Sequence, residues 1–190
     1  MSRVMMTAVL LLAVGATAQI CPNPDSVGIY ADLDGLTNTV QAEVGQAFEV
    51  YLLLTLPTGT GGAKAWEMRI DVPDNVEVWG WNVQGAHWNI ADPPDFTVVH
   101  IDPRPVQDVV HLMTFIVVAL DETEGVFKIS ELAADPDHNG YPEYVDDSDF
   151  NTEIRLHPWP SGPDAPAFVI NGTLVANEGK SWSDVKMMFR

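Results

Sequence analysis

Apolar residues recur at every second position through most of this chain. In QAFEVYLLLTL, Phe48, Val50, Leu52 and Leu54 share one face, with Glu49, Tyr51 and Thr55 on the other. In AWEMRIDV, Trp66, Met68, Ile70 and Val72 alternate with Glu67, Arg69 and Asp71. NVEVWGWNV, DFTVVHI, VVHLMTFIVVAL, GVFKISEL and AFVINGTLVA continue the pattern. A period of two puts alternate side chains on opposite sides of a strand, so these segments can bury one face and leave the other in water. Between them stand LPTGTGG, VPDN, DPPD, DPRP, DETEG and WPSGPDAP. Glycine, proline and aspartate favour turns for conformational reasons of their own. Short alternating strands with turns between them predict an all-β chain folded as an antiparallel β-sandwich.

Two segments break the pattern. The first is MSRVMMTAVLLLAVGATAQI, where Arg3 precedes the apolar run Val4–Val14 and ATA supplies small residues before Gln19. That is the form of an export signal, and the run is shorter than the ~20 residues of a spanning helix. Residues 1–18 are therefore expected to be a signal peptide, and no membrane span is expected after its removal. The second is the end, NEGKSWSDVKMMFR, where Trp182, Val185, Met188 and Phe189 have helical spacing behind a serine cap at Ser181 or Ser183. Residues 178–190 are expected to be a tail with a short helix, and residues 19–177 one domain of the usual size.

Composition narrows the partners. The chain carries 27 Asp and Glu against 9 Lys and Arg, a formal charge of −18. Phosphates would be repelled, which argues against nucleic acid. Cys21 is the only cysteine, so no internal disulfide forms. The reading is a protein secreted or held at the cell surface.

One loop has the spacing of a cation site. In DPDHNGYPEYVD, Asp135, Asp137 and Asn139 occupy positions 1, 3 and 5, Gly140 the sharp turn at 6, Tyr141 the carbonyl at 7 and Asp146 position 12. Such spacing folds alternate oxygens toward one point, and oxygen ligands select calcium. Glu143, Asp147 and Asp149 are alternative donors, while Pro136 and Pro142 restrict the backbone. DLDGLTN, residues 32–38, is a weaker echo that turn chemistry also explains. The histidines show no metal spacing, and neither a nucleophile elbow nor a phosphate loop is present, so no enzyme is expected. Trp79, Trp81 and Trp88 cluster in VWGWNVQGAHWNI. On a regular strand Trp79 and Trp81 point the same way. Exposed, they would form a sugar-stacking platform; buried, they are core.

The order of VGQAFEVYLLLTLP, a glycine-rich stretch, AKAWEMRIDVPDNVEVWGW, VVHLMTFIVV, GVFKIS and INGTLVAN resembles cohesin-like domains over roughly residues 40–177. The chain also resembles a group of uncharacterised exported bacterial proteins that share DSVGIYAD, ING and a Trp–Lys–aromatic–Arg end. The cohesin resemblance implies an Ig-like sandwich that binds a protein through one sheet face, and it carries over no particular binding residue. The function expected is a non-catalytic extracellular binding or structural module with calcium as its cofactor. Two alternatives stand beside it: a carbohydrate-binding module using the tryptophans on a glycan partner, and a subunit of a self-assembling surface structure whose DSVGIYAD strand pairs with a neighbour.

Overall fold

The computed structural model describes residues 22–132, 139–160 and 162–174, and every regular element in them is a strand. In chain order these are β1 (Ser26–Tyr30), β2 (Thr39–Val40), β3 (Ala47–Thr55), β4 (Ala63–Asp71), β5 (Val76–Val83) and β6 (His87–Asn89). Then follow β7 (Asp95–Arg104), β8 (Val109–Ala119), β9 (Gly125–Ser130), β10 (Glu143–Asp146), β11 (Asp149–Arg155), β12 (His157–Pro158) and β13 (Pro166–Ile170). The expected signal peptide and C-terminal helix lie outside the described residues.

The strands form two sheets. One has the order β12-β1-β3-β8-β5. The other runs β11-β10-β4-β9-β13-β2, with β7 also on β4 and β6 on β7. Strand β4 is the hub of this second sheet. Both β7 and β10 pair with its residues 65–67, so they lie on opposite sides of it. Strand β9 takes over from β10 at Arg69–Asp71. Pairing is antiparallel except for two short parallel contacts, β1 with β12 and β13 with β2, so the sheets are mixed rather than purely antiparallel.

The alternation read in the sequence sets which side chains meet. Val50, Leu52 and Leu54 of β3 and Phe115 and Val117 of β8 face Trp66, Met68 and Ile70 of β4, Phe96 and Val98 of β7, and Phe127 and Phe168. A row of rings, Phe115–Phe127–Phe168, crosses this core at centroid spacings of 6.0 Å. Every residue of β1 is buried; β3 pairs with the whole strand along one edge, and β12 pairs with Ser26 and Val27 along the other. The DSVGIYAD strand, expected as one that could pair with a neighbour, thus lies within its own sandwich.

Trp79 and Trp81 do not share a face. The ladder between β5 and β8 shifts register between Val78 and Gly80, because Val78 pairs with Val117 and Gly80 with Ile116. The extra residue in this bulge is Trp79, and a bulge inverts the alternation beyond it. Trp79 is left 60% exposed, while Trp81 turns inward against Phe96 at 5.1 Å and Phe115 at 4.9 Å. Trp81→Ala should therefore cost about 3–5 kcal/mol of unfolding free energy, as for other large core aromatics. Trp79→Ala should change stability by less than about 0.5 kcal/mol. Denaturant titration of the two variants compares them, and equal losses would mean that the bulge is not there in solution.

Candidate functional site

The larger sheet turns one face to the core and the other to solvent. On the solvent side a row of apolar side chains crosses four strands and ends at a carboxylate on the fifth. Trp88 of β6 stands opposite Val99 of β7, Val99 opposite Ala65 of β4, Ala65 opposite Val145 of β10, and Val145 opposite Glu153 of β11. The residues beside them in sequence, Val98, Trp66 and Tyr144, point into the core, so this row points out. The next row along is polar: Thr97, Glu67, Glu143 and Arg155 face one another in turn. Ala65, Glu67, Thr97, Glu143, Val145 and Glu153 line a shallow depression between the two rows. Farther along the same face Trp88 is 64% and Ile90 76% exposed, and Ile101 is half exposed as well. Strand β6 is short and bounds the sheet, with β7 as its only partner among the described strands. The result is an aromatic and aliphatic margin on a face that also carries a mixed polar row.

The tryptophans proposed from sequence as one platform are thus separated. Trp88 belongs to the larger sheet, Trp79 to the bulge of the smaller one, and Trp81 to the core between them.

The acidic loop is placed in part. Asp135 and Asp137 lie outside the described residues. Asn139 accepts a hydrogen bond from the Tyr141 amide at 2.9 Å and donates to the Glu143 carboxylate. Gly140 holds a φ of +84°, and its amide donates to Glu131 at 2.5 Å. The Tyr141 ring packs edge-on to His157 at 5.7 Å. Asp146 does not close this loop. Strand β10 begins at Glu143, and three further residues at ~3.3 Å each carry Asp146 to its far end. There its carboxylate accepts from the Gly61 amide at 2.9 and 3.1 Å, the Thr60 amide at 3.2 Å and both donors of Ser148. Glu143, at position 9 and in contact with Asn139, is the described acid at the loop. Asp147 pairs with Lys64 at 3.6 Å, and Asp149 holds the Asn151 and Thr152 donors. The weaker echo is a turn: Asp32 accepts from the Leu36 amide at 3.0 Å.

The glycine-rich turn LPTGTGG, between β3 and β4, is built around these acids. Asp25 accepts from the Thr58 amide and hydroxyl, each at 2.7 Å, and from the Tyr144 hydroxyl at 2.8 Å. Tyr144 in turn accepts from the Gly59 amide at 3.0 Å. Burial, together with the Asp25 carboxylate at its hydroxyl, pushes the Tyr144 phenol up to about 12. Burial would raise Asp146, but the hydrogen bonds from Ser148 and the Gly61 and Gly62 amides outweigh it and hold the acid below its ordinary range. A side chain at Gly61 would meet the Ser148 amide at 2.4 Å, and one at Gly62, with φ +96°, the Arg104 carbonyl at 2.2 Å.

His100, one of the histidines without metal spacing, lies on β7. It is fully buried, and its Nε2 accepts from the Trp66 indole N–H at 3.1 Å, which places the ring hydrogen on Nδ1. Burial, with Arg104, His87 and Lys64 nearby, pushes its pKa down to about 4. An unfolded histidine titrates near 6.5. Between about pH 6.5 and 4 the unfolded chain binds a proton that the folded chain refuses, so stability falls as pH falls through that window. Denaturation midpoints measured from pH 7 to 4 should show this loss, and His100→Gln should flatten it most clearly above pH 5, where carboxylates still hold their charge. An unchanged slope in the variant would place His100 in a solvated, ordinary setting.

No family model matches the sequence, and no curated protein matches it. Solved structures similar to it are cohesin modules. A non-cellulosomal cohesin from the archaeon Archaeoglobus fulgidus is 9% identical, with a TM-score of 0.45 over 69% of this chain and 84% of its own. A type II cohesin from the cellulosome of Acetivibrio cellulolyticus is 16% identical, with a TM-score of 0.46 over 77% and 95%. A cohesin of R. flavefaciens, solved in complex with a group 1 dockerin, is 11% identical, with a TM-score of 0.45 over 72% and 91%. The all-β sandwich is read from this chain's own two sheets.

Proposed function

We propose that the protein is an exported, non-catalytic binding module that holds a protein partner on the outer face of its larger sheet, around Trp88. One observation carries this reading. Trp88, Ile90 and Ile101 stand exposed at the margin of a sheet face that also presents Glu67 and Glu153. Aromatic anchors ringed by polar groups are the usual make-up of a binding hot spot. These two carboxylates give the partner a complementary, basic character. The expected export signal supports an encounter outside the cell. A photo-crosslinking amino acid at position 88, in protein made by its own host, should capture one defined protein, while the same group at position 79 on the other sheet should not. Capture at both positions alike, or at neither, would overturn the reading.

A second reading has its own support. One exposed indole on a face with two accessible carboxylates is also what a saccharide needs, a ring face to stack on and acceptors for its hydroxyls. Retardation of the wild type, but not of Trp88→Ala, on polysaccharide affinity gels would favour a glycan over a protein.

Calcium is proposed as a stabiliser rather than as the business of the face. The donors would be Asp135, Asp137, Asn139 and the Tyr141 carbonyl, with Glu143 in the place first given to Asp146. A cation bound only by the folded state stabilises it by mass action. Millimolar-range calcium, the affinity of extracellular modules, should raise the melting temperature over chelator. Asp135→Ala with Asp137→Ala should abolish the rise, and Asp146→Asn should keep it while lowering the starting stability. A wild type that melts alike in both buffers would leave the loop a plain turn.

A further inference from the structure

Five basic side chains of this acidic protein gather at one corner: Lys64, His87, His100, Arg104 and His111. Of the four described histidines, His87, His100 and His111 lie around Arg104, at the end of the sandwich where the Gly85 turn meets the last residues of β7. His87 and His100 stand opposite each other across the β6–β7 ladder, with ring centroids 6.4 Å apart. The Arg104 guanidinium reaches Gly85 so closely that a side chain there would sit 3.1 Å from its Nη1. Gly85, with φ +77°, leaves that space to the arginine. Lys64 borders the same corner and donates to the Ile101 carbonyl at 2.8 Å.

Two donors in this corner stand out. The Nδ1 of His100 and the Nε of Arg104 are buried, and neither has a hydrogen-bond partner among the described residues. His100 Nε2 is already an acceptor for Trp66, so Nδ1 carries a hydrogen and is a donor in want of an acceptor. Arg104 makes no ion pair among the described residues, although the chain has 27 carboxylates. Lys64, at the same corner, pairs with Asp147. A buried, unpartnered N–H is rare, and one on a charged group costs more than one on a neutral group. A water molecule would satisfy a donor but bring no charge opposite to that of the half-buried guanidinium. An oxyanion satisfies both, since its oxygens accept several N–H groups at once and its charge opposes that of Arg104.

We propose that the corner between the Gly85 turn and residues 100–104 is a binding site for a single oxyanion group, gripped by Arg104 and the Nδ1–H of His100, with Lys64 and His87 at its rim. The group is a carboxylate or a phosphate, and it enters either as a free anion or as a side chain of a bound protein. This site is separate from the face around Trp88 and stands whether or not that face binds a protein.

The test uses two probes at constant ionic strength and pH 7, inorganic phosphate and N-acetyl-aspartate amide, with chloride as the reference. One of them should raise the melting temperature saturably, by about 2 °C or more, a shift readable for a domain of this size. The same probe should move the His100 Nδ1 resonance in a nitrogen-15 spectrum with the same midpoint. A response to phosphate marks a free anion, and a response to the aspartate amide marks an acidic side chain. Arg104→Gln should abolish both effects, while Arg104→Lys, which keeps the charge but loses the planar fork, should weaken binding by about tenfold or more. Should Arg104→Gln fail to fold, the wild-type resonance titration decides alone. No saturable shift of His100 with either probe, or a response that survives in a folded Arg104→Gln variant, overturns the site.

Discussion

Two buried carboxylates hold this sandwich in register. Asp25 enters just before β1 in the smaller sheet, yet its oxygens are bound by Thr58 in the turn between β3 and β4 and by Tyr144 of β10 in the larger sheet. Asp146, at the other end of β10, binds the amides of Thr60 and Gly61 in the same turn. One turn is therefore fixed from both sheets. Its glycines are required because backbone from β7 and from the β10–β11 turn approaches where side chains would stand. Hydrogen bonds to an ionised acceptor are stronger than neutral ones, and a buried acid without them would be costly. This arrangement is what lets β4 leave the turn at one fixed angle and place every later strand of its sheet.

Strand β4 then serves both sides of the larger sheet. Inward, Trp66 packs on Phe96 at 5.9 Å and ties down His100 through its indole N–H. Outward, Ala65 and Glu67 form the floor and wall of the depression on the face that carries Trp88. The face and the basic corner are both built on rigid strands in contact with the core, not on a long loop. Sites carried this way keep their geometry, because the backbone that presents them is already fixed by packing.

Much of this was legible in the residues. The alternation in β3, β4, β7 and β8 named their inward faces, since a sheet with one wet side admits no other parity. It failed at Trp79, because a bulge adds one residue without leaving a mark that periodicity can read. It failed again at Asp146. The spacing of a calcium loop was correct as spacing, but Glu143–Asp146 is also an alternating segment, and pairing with β4 drew it out as a strand. Local chemistry and long-range pairing competed for the same four residues, and the ladder won at Asp146. His100 and Arg104 carry no sequence signal at all. Their meaning depends on which strands stand next to them, and that is set by contacts between residues far apart in the chain.

The distribution of charge follows from the same topology. A protein with a net charge of −18 would be expected to pair each of its few cations. Arg69 does so with Asp71 and Asp95 at 2.7 and 3.0 Å, and Lys64 does so with Asp147. Those pairs are partly solvated and contribute little to stability. Lys128, Arg155 and Arg104 make no ion pair among the described residues, and Arg104 differs from the other two in having a buried Nε without a hydrogen-bond partner there. A chain rich in acids could have supplied one at many positions. That the corner around Arg104 instead gathers histidines means that its positive field is kept rather than cancelled. In a molecule that repels anions over most of its surface, such a corner sets where an anion can be admitted.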